Sequence, residues 1–131
     1  MKPAHTCQYR VYYEDTDTAG IVYYANYLKF AERARTEWLR ELGFSQSKWL
    51  AESGIGFVVR HCEADFIAPA RLDDMISIET HLQEASKVRM KMRQIIKRNE
   101  KTLADLTVTI ACVKEGKPAR LPPELEKLGK R

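Results

Sequence analysis

The chain has 131 residues, enough to bury a hydrophobic core without help from disulfides. Its three cysteines, Cys7, Cys62 and Cys112, are an odd, widely spaced set with no C-x-x-C. That argues against a disulfide framework or a structural zinc site and leaves buried or half-buried free thiols as the expectation. No apolar signal segment opens the chain and no apolar run approaches the roughly 20 residues of a membrane span, so a cytoplasmic single domain over residues 1–131 is expected. The formal charge of +4 is uneven: Lys87 to Lys101 carries +6 and the remainder −2. Such a stripe is either a solvated strand face or a surface for an anionic partner.

Residues 7–14, "CQYRVYYE", are rich in Tyr and Val and predict a strand. The loop "DTDTAG" follows, and residues 22–42 predict a long helix. Tyr27, Ala31, Ala34, Trp38 and Leu42 fall on one helical face, and Lys29, Glu32, Arg33, Glu37 and Arg40 on the others. Gly43 is placed to stop this helix, and Ser45 to cap a short second one through Leu50 or Ala51, which Gly54 and Gly56 end. From residue 56 the pattern turns to strands: "GFVVRHCEADFI", "MISIETHL", "KVRMKMRQIIKR" and "LADLTVTIACV". In the third, Val88, Met90, Met92 and Ile96 face one way while Arg89, Lys91 and Arg93 face the other. In the fourth, Ala104, Leu106, Val108, Ile110 and Cys112 share a face. A Pro-rich loop and a short C-terminal helix close the chain. The order predicts an α+β domain with helices on one face of an antiparallel sheet.

The stretch "EDTDTAG" admits four readings. It can be an acidic turn that caps the helix. Asp15 and Asp17 can share a hard cation, although the rest of a D-x-D phosphatase pattern is missing. A carboxylate at the lip of a helix can act as nucleophile or general base, with the unpaired N–H groups and positive end of the helix holding an oxyanion. The same geometry can also bind a ligand without reacting.

The stretch "YYEDTDTAGIVYYANYLKFAERARTEWL" resembles the signature of hotdog-fold acyl-CoA thioesterases of the 4-hydroxybenzoyl-CoA thioesterase type. The bacterial branch associated with the tol-pal system looks closest, and the resemblance runs on through "FVVRHCEADFIAPARLDDMISIET" to "RLP". It implies an antiparallel sheet wrapped around one long central helix, with active sites built between copies in a homodimer or homotetramer. It implies hydrolysis of an acyl-CoA to a free acid and coenzyme A, with no metal and no cofactor. By the same resemblance Asp17 is the catalytic carboxylate and the backbone N–H near Tyr24 polarises the thioester carbonyl. Gly20 frees the turn, and Lys87, Arg89, Lys117 and Arg120 bind the nucleotide end of coenzyme A. The tol-pal branch usually carries His where this chain has Tyr24, and a phenol with an ordinary pKa near 10 cannot shuttle protons near neutrality. A nucleic-acid partner is not expected, because residues 87–101 contain no aromatic side chain for base stacking. No membrane span is expected either.

Overall fold

The helical stripe in the first half of the chain and the alternating strands in the second present two apolar surfaces that bury each other. The computed structural model describes residues 2–130. It contains β1 (His5–Arg10), α1 (Asn26–Glu41), α2 (Gln46–Ser53), β2 (Ile55–Phe66), β3 (Met75–Ala85), β4 (Arg89–Arg98), β5 (Lys101–Lys114), β6 (Lys117–Pro118) and α3 (Pro123–Glu126). The sheet runs β1-β3-β4-β5-β2, every pair antiparallel, with β6 adding a short ladder to β5. It curls around α1, which buries Tyr27, Phe30, Ala31, Ala34, Trp38 and Leu39 against the inner face. That face presents Ile76 and Ile78 from β3, Met90, Met92 and Ile96 from β4, and Ala104 to Cys112 in alternation from β5. Ala31 and Ala34 have no bulk, which lets the helix approach the sheet closely. This is the hotdog fold. Among the described residues, no helix is long and apolar enough to cross a membrane.

Four local expectations are corrected. The first strand spans His5–Arg10 and stops well before residue 14. The Asp15 carboxylate accepts a hydrogen bond from the Tyr12 N–H at 2.8 Å, and this closes a 3-10 turn over Tyr13–Asp15 that competes with the strand. The long helix begins at Asn26 rather than residue 22. Val22 instead bridges Thr16 and donates its N–H to the Ala70 carbonyl at 2.8 Å, while Ile21 bridges Arg71. Tertiary pairing of these β-branched residues overrides the helical pattern. Leu42 lies at the frayed end of α1 and is exposed. Cys62 is exposed as well, because residues 58–63 of the edge strand β2 are covered on neither face; Cys7 is half-buried and Cys112 fully buried. Burial pushes the Cys112 thiol up to about 11.

The second half follows the alternation except at Val88, which precedes β4 and is exposed instead of facing inward with Met90. Ser45 caps α2 through the Lys48 N–H, and Gly54 ends it in the left-handed region at φ 74°. The outer sheet face is polar and cross-linked. Arg93 forms a two-bond fork with Asp105 at 3.0 and 2.6 Å, and Lys97 meets Glu79 at 3.1 Å. Arg93 and Lys97, two of the seven basic residues of the stripe, are therefore paired with acids on neighbouring strands.

Candidate active site

The acidic loop is a hairpin folded back on the start of α1. The Asp17 N–H donates to the Ile21 carbonyl at 2.9 Å and the Gly20 N–H to the Asp17 carbonyl at 3.0 Å. Gly20 takes φ 78°, and an added Cβ there would meet nothing within 4 Å. Its role on this chain is thus the left-handed turn rather than close packing. The Asp17 carboxylate is exposed. Its Oδ1 accepts from the Ala19 N–H at 2.8 Å, and among the described residues nothing donates to Oδ2. Asp15 serves the loop: its carboxylate holds Tyr12, and its carbonyl accepts from the Tyr23 N–H at 3.1 Å and from the Asn26 side chain at 2.9 Å. The two aspartates are engaged with different backbone groups, which leaves the D-x-D pair without shared coordination. Among the described residues, no cluster of three or more His, Cys, Asp or Glu side chains is placed to hold a metal ion.

Behind the loop, the turn that leads into α1 leaves backbone donors open. The N–H groups of Asn26, Tyr27 and Leu28 are taken by the carbonyls of Tyr23, Tyr24 and Ala25, whereas those of Tyr24 and Ala25 donate to no described residue. The Tyr24 ring is 59% exposed and lies edge-on to Phe66, 5.6 Å between centroids. Tyr27, by contrast, is buried with its hydroxyl accepting from the Ala70 N–H at 2.9 Å, which ties the helix start to the β2–β3 connection. That connection is itself clamped: Asp74 accepts from the Arg71 N–H at 2.8 Å and from Arg98 at 2.6 Å. Burial alone would raise the Asp74 pKa, but these donors outweigh it and hold the carboxyl below its ordinary value.

The expected nucleotide-binding residues gather at the other end of the sheet. Arg89 lies opposite Ala111 and Lys117 opposite Lys114, and the Lys87 carbonyl accepts from the Leu121 N–H at 2.6 Å, which brings Arg120 alongside. A cavity of about 190 Å³ there is lined by Arg60, Arg89, Val58, Val88, Gly116 and Pro118. Arg120 departs from a free phosphate ligand, because Glu126 lies 3.4 Å from its guanidinium. His61 is exposed on β2 beside Glu63 at 3.0 Å.

One chain does not bring these two groups together. Tyr24 touches Phe66, which pairs with Ala104, whereas Arg89 pairs with Ala111. Seven residues of strand separate those positions, roughly 23 Å at about 3.3 Å per residue.

Residue-level pattern reading missed a polar network under α1. The buried Arg35 guanidinium donates to Gln94 Oε1 at 3.0 Å, and Gln94 Nε2 donates to the Ala31 carbonyl at 3.0 Å and to Thr80 Oγ1 at 3.1 Å. Burial lowers the Arg35 pKa, with the nearby Glu32 opposing that. The signal was present in the sequence: Gln94 occupies an inward slot between Met92 and Ile96, and Arg35 continues the Tyr27–Ala31 stripe.

A curled antiparallel sheet around one long helix defines the hotdog class. Within it, the chain belongs to the thioesterase-like superfamily, which it matches over residues 11–128. It is 44% identical over 119 residues to the acyl-CoA thioesterase YbgC of Haemophilus influenzae, covering 89% of this chain and 88% of that one. A probable thioesterase from Bartonella henselae superposes with a TM-score of 0.87 at 42% identity, covering 90% of this chain and 98% of that one. The 1,4-dihydroxy-2-naphthoyl-CoA thioesterase from Synechocystis superposes at 0.84 with 28% identity, covering 91% and 90%.

Proposed function

We propose that this protein is an acyl-CoA thioesterase whose site forms between two copies of the chain. The observation that carries the reading is the pairing of an exposed, half-engaged Asp17 carboxylate with the open N–H groups of Tyr24 and Ala25 at the start of a 16-residue helix. The names of the relatives agree with it. The thioester carbonyl accepts from the Tyr24 N–H, where the helix dipole favours the negative charge that develops on its oxygen. Asp17 supplies the attacking oxygen, either its own or that of a water it deprotonates. The tetrahedral centre collapses with cleavage of the C–S bond, water completes the acid, and the thiolate takes a proton. A thiol has an ordinary pKa near 8.5, so it leaves without a strong general acid. Residue 24 acts through its backbone, and Tyr in place of His is compatible with this chemistry.

The second copy follows from distance and exposure. Lys87, Arg89 and Lys117 are proposed to hold the phosphates of coenzyme A, with Arg120 at the rim. They lie too far along the sheet to serve Asp17 of their own chain in a compact site. β2 is an edge strand with exposed Val58 and Val59, and exposed Tyr23, Tyr24, Phe66 and Ile67 cluster near the loop. An open edge with apolar side chains is a surface for a second copy. In a thiol-release assay with purified protein and a panel of acyl-CoAs, one thiol appears per substrate consumed. Binding without thiol release would identify an acyl-CoA binding module instead.

A further inference from the structure

Arg35 is only 9% exposed, and among the described residues no carboxylate lies within ion-pair distance of it. Of the five N–H donors of a guanidinium, one is given to Gln94. Gln94 cannot swing away, since Ala31 and Thr80 fix its other end. Its remaining donors have no partner among the described residues and are not fully buried, so they stand open to an acceptor that enters. Arg35 also lines a cavity of about 230 Å³ between α1 and β2. The other walls are mixed: Leu39, Phe57, Val59 and Ile110 are apolar, while Thr36 is polar and accepts from Gln46 at 3.3 Å. The cavity opens beside the exposed edge of β2. Through Gln94 the guanidinium sits near the level of the Ala31 carbonyl, six residues beyond Ala25, or roughly 9 Å along the helix from the open N–H groups.

We infer that Arg35 is a specificity-determining residue: its guanidinium binds an oxygen atom carried by the acyl group, so that oxygenated acyl groups are hydrolysed in preference to plain hydrocarbon ones. The inference rests on the thioesterase reading. The apolar walls accept the methylene chain, and the acyl oxygen satisfies donors that a plain chain would leave dry. Glu32, on the same cavity wall, tempers the positive field, and a hydroxyl or oxo group is accommodated as well as a carboxylate.

The test compares kcat/KM for matched substrates: butanoyl-CoA with 3-hydroxybutanoyl-CoA, and hexanoyl-CoA with its ω-carboxyl counterpart. At least one oxygenated member is preferred by about tenfold or more, the scale of a hydrogen bond to a charged group. Arg35→Met removes that preference, chiefly through KM, and leaves the plain substrate within a few-fold of wild type. Arg35→Lys retains part of it. A wild-type enzyme without preference in either pair overturns the inference, as does a folded Arg35→Met variant that loses both members of a pair equally. If Arg35→Met does not fold, the wild-type ratio and Arg35→Lys decide. Hydrolysis of none of the four substrates or of the wider panel overturns the thioesterase reading itself, which is a distinct result.

Discussion

Asp17→Asn lowers kcat for acyl-CoA hydrolysis at least about a hundredfold, the scale of a lost nucleophile or general base. The substitution is close to isosteric, and its amide oxygen still accepts from the Ala19 N–H that Asp17 Oδ1 holds at 2.8 Å. The Asp17–Gly20 turn is otherwise made by backbone groups, so the loop survives the change. Substrate binding is expected to survive too, because the proposed nucleotide contacts lie elsewhere. The expected signature is therefore a fall in kcat with KM and thermal midpoint nearly unchanged. An Asp17→Asn enzyme that turns over acyl-CoA at the wild-type rate removes Asp17 from the chemistry. Asp15 behaves differently. Its carboxylate holds the 3-10 turn and its carbonyl braces the helix start, so Asp15→Ala disturbs the shape of the loop before it disturbs any step of the reaction.

Gln94→Ala is the substitution expected to cost most stability, about 3 kcal/mol. It strips the buried Arg35 of its hydrogen-bond acceptor and leaves the Ala31 carbonyl and Thr80 hydroxyl without their shared donor, all beneath the helix where water does not replace them. It also leaves a void in a close-packed layer between Met92 and Ile96. Urea denaturation reads the loss as a lower midpoint at unchanged slope. The exposed Gln83, converted to Ala, stays within about 0.5 kcal/mol of wild type. Equal midpoints for the two variants would mean that the network under α1 contributes nothing to stability.

The sheet was legible because β3, β4 and β5 alternate over most of their length, and alternation has one physical outcome when one face is covered. The α1 stripe was legible for the same reason at a different period. What was not legible lies where local pattern yields to a partner far away in sequence. Val22 looks helical until Thr16 and Ala70 offer it a bridge and a carbonyl. Tyr12 to Glu14 look like strand until Asp15 captures the Tyr12 N–H. Arg35 and Gln94 were visible as polar residues in apolar slots, but neither slot reveals that the two side chains meet. Cys62 and Leu42 depended on which surfaces stay uncovered, which no spacing encodes. For the candidate site, the sequence carried Asp17 and the helix start on one continuous motif. The separation of the basic residues from that motif emerged only from the register of β2 and β4 on β5.

The central claim is that one acyl-CoA is cleaved by Asp17 of one copy while basic residues of another hold its nucleotide. The direct measurement mixes two variants, Asp17→Asn and the double charge reversal Arg89→Glu with Lys117→Glu, after subunit exchange and at substrate well below KM. Each alone is nearly inactive under those conditions. If each site draws on two copies, random exchange in a symmetric pair restores about a quarter of wild-type activity, because half of the mixed pairs' sites contain no mutated residue. Activity no greater than that of the separate variants, with exchange verified, would contradict the claim and put Asp17 and the basic residues to work on the same chain.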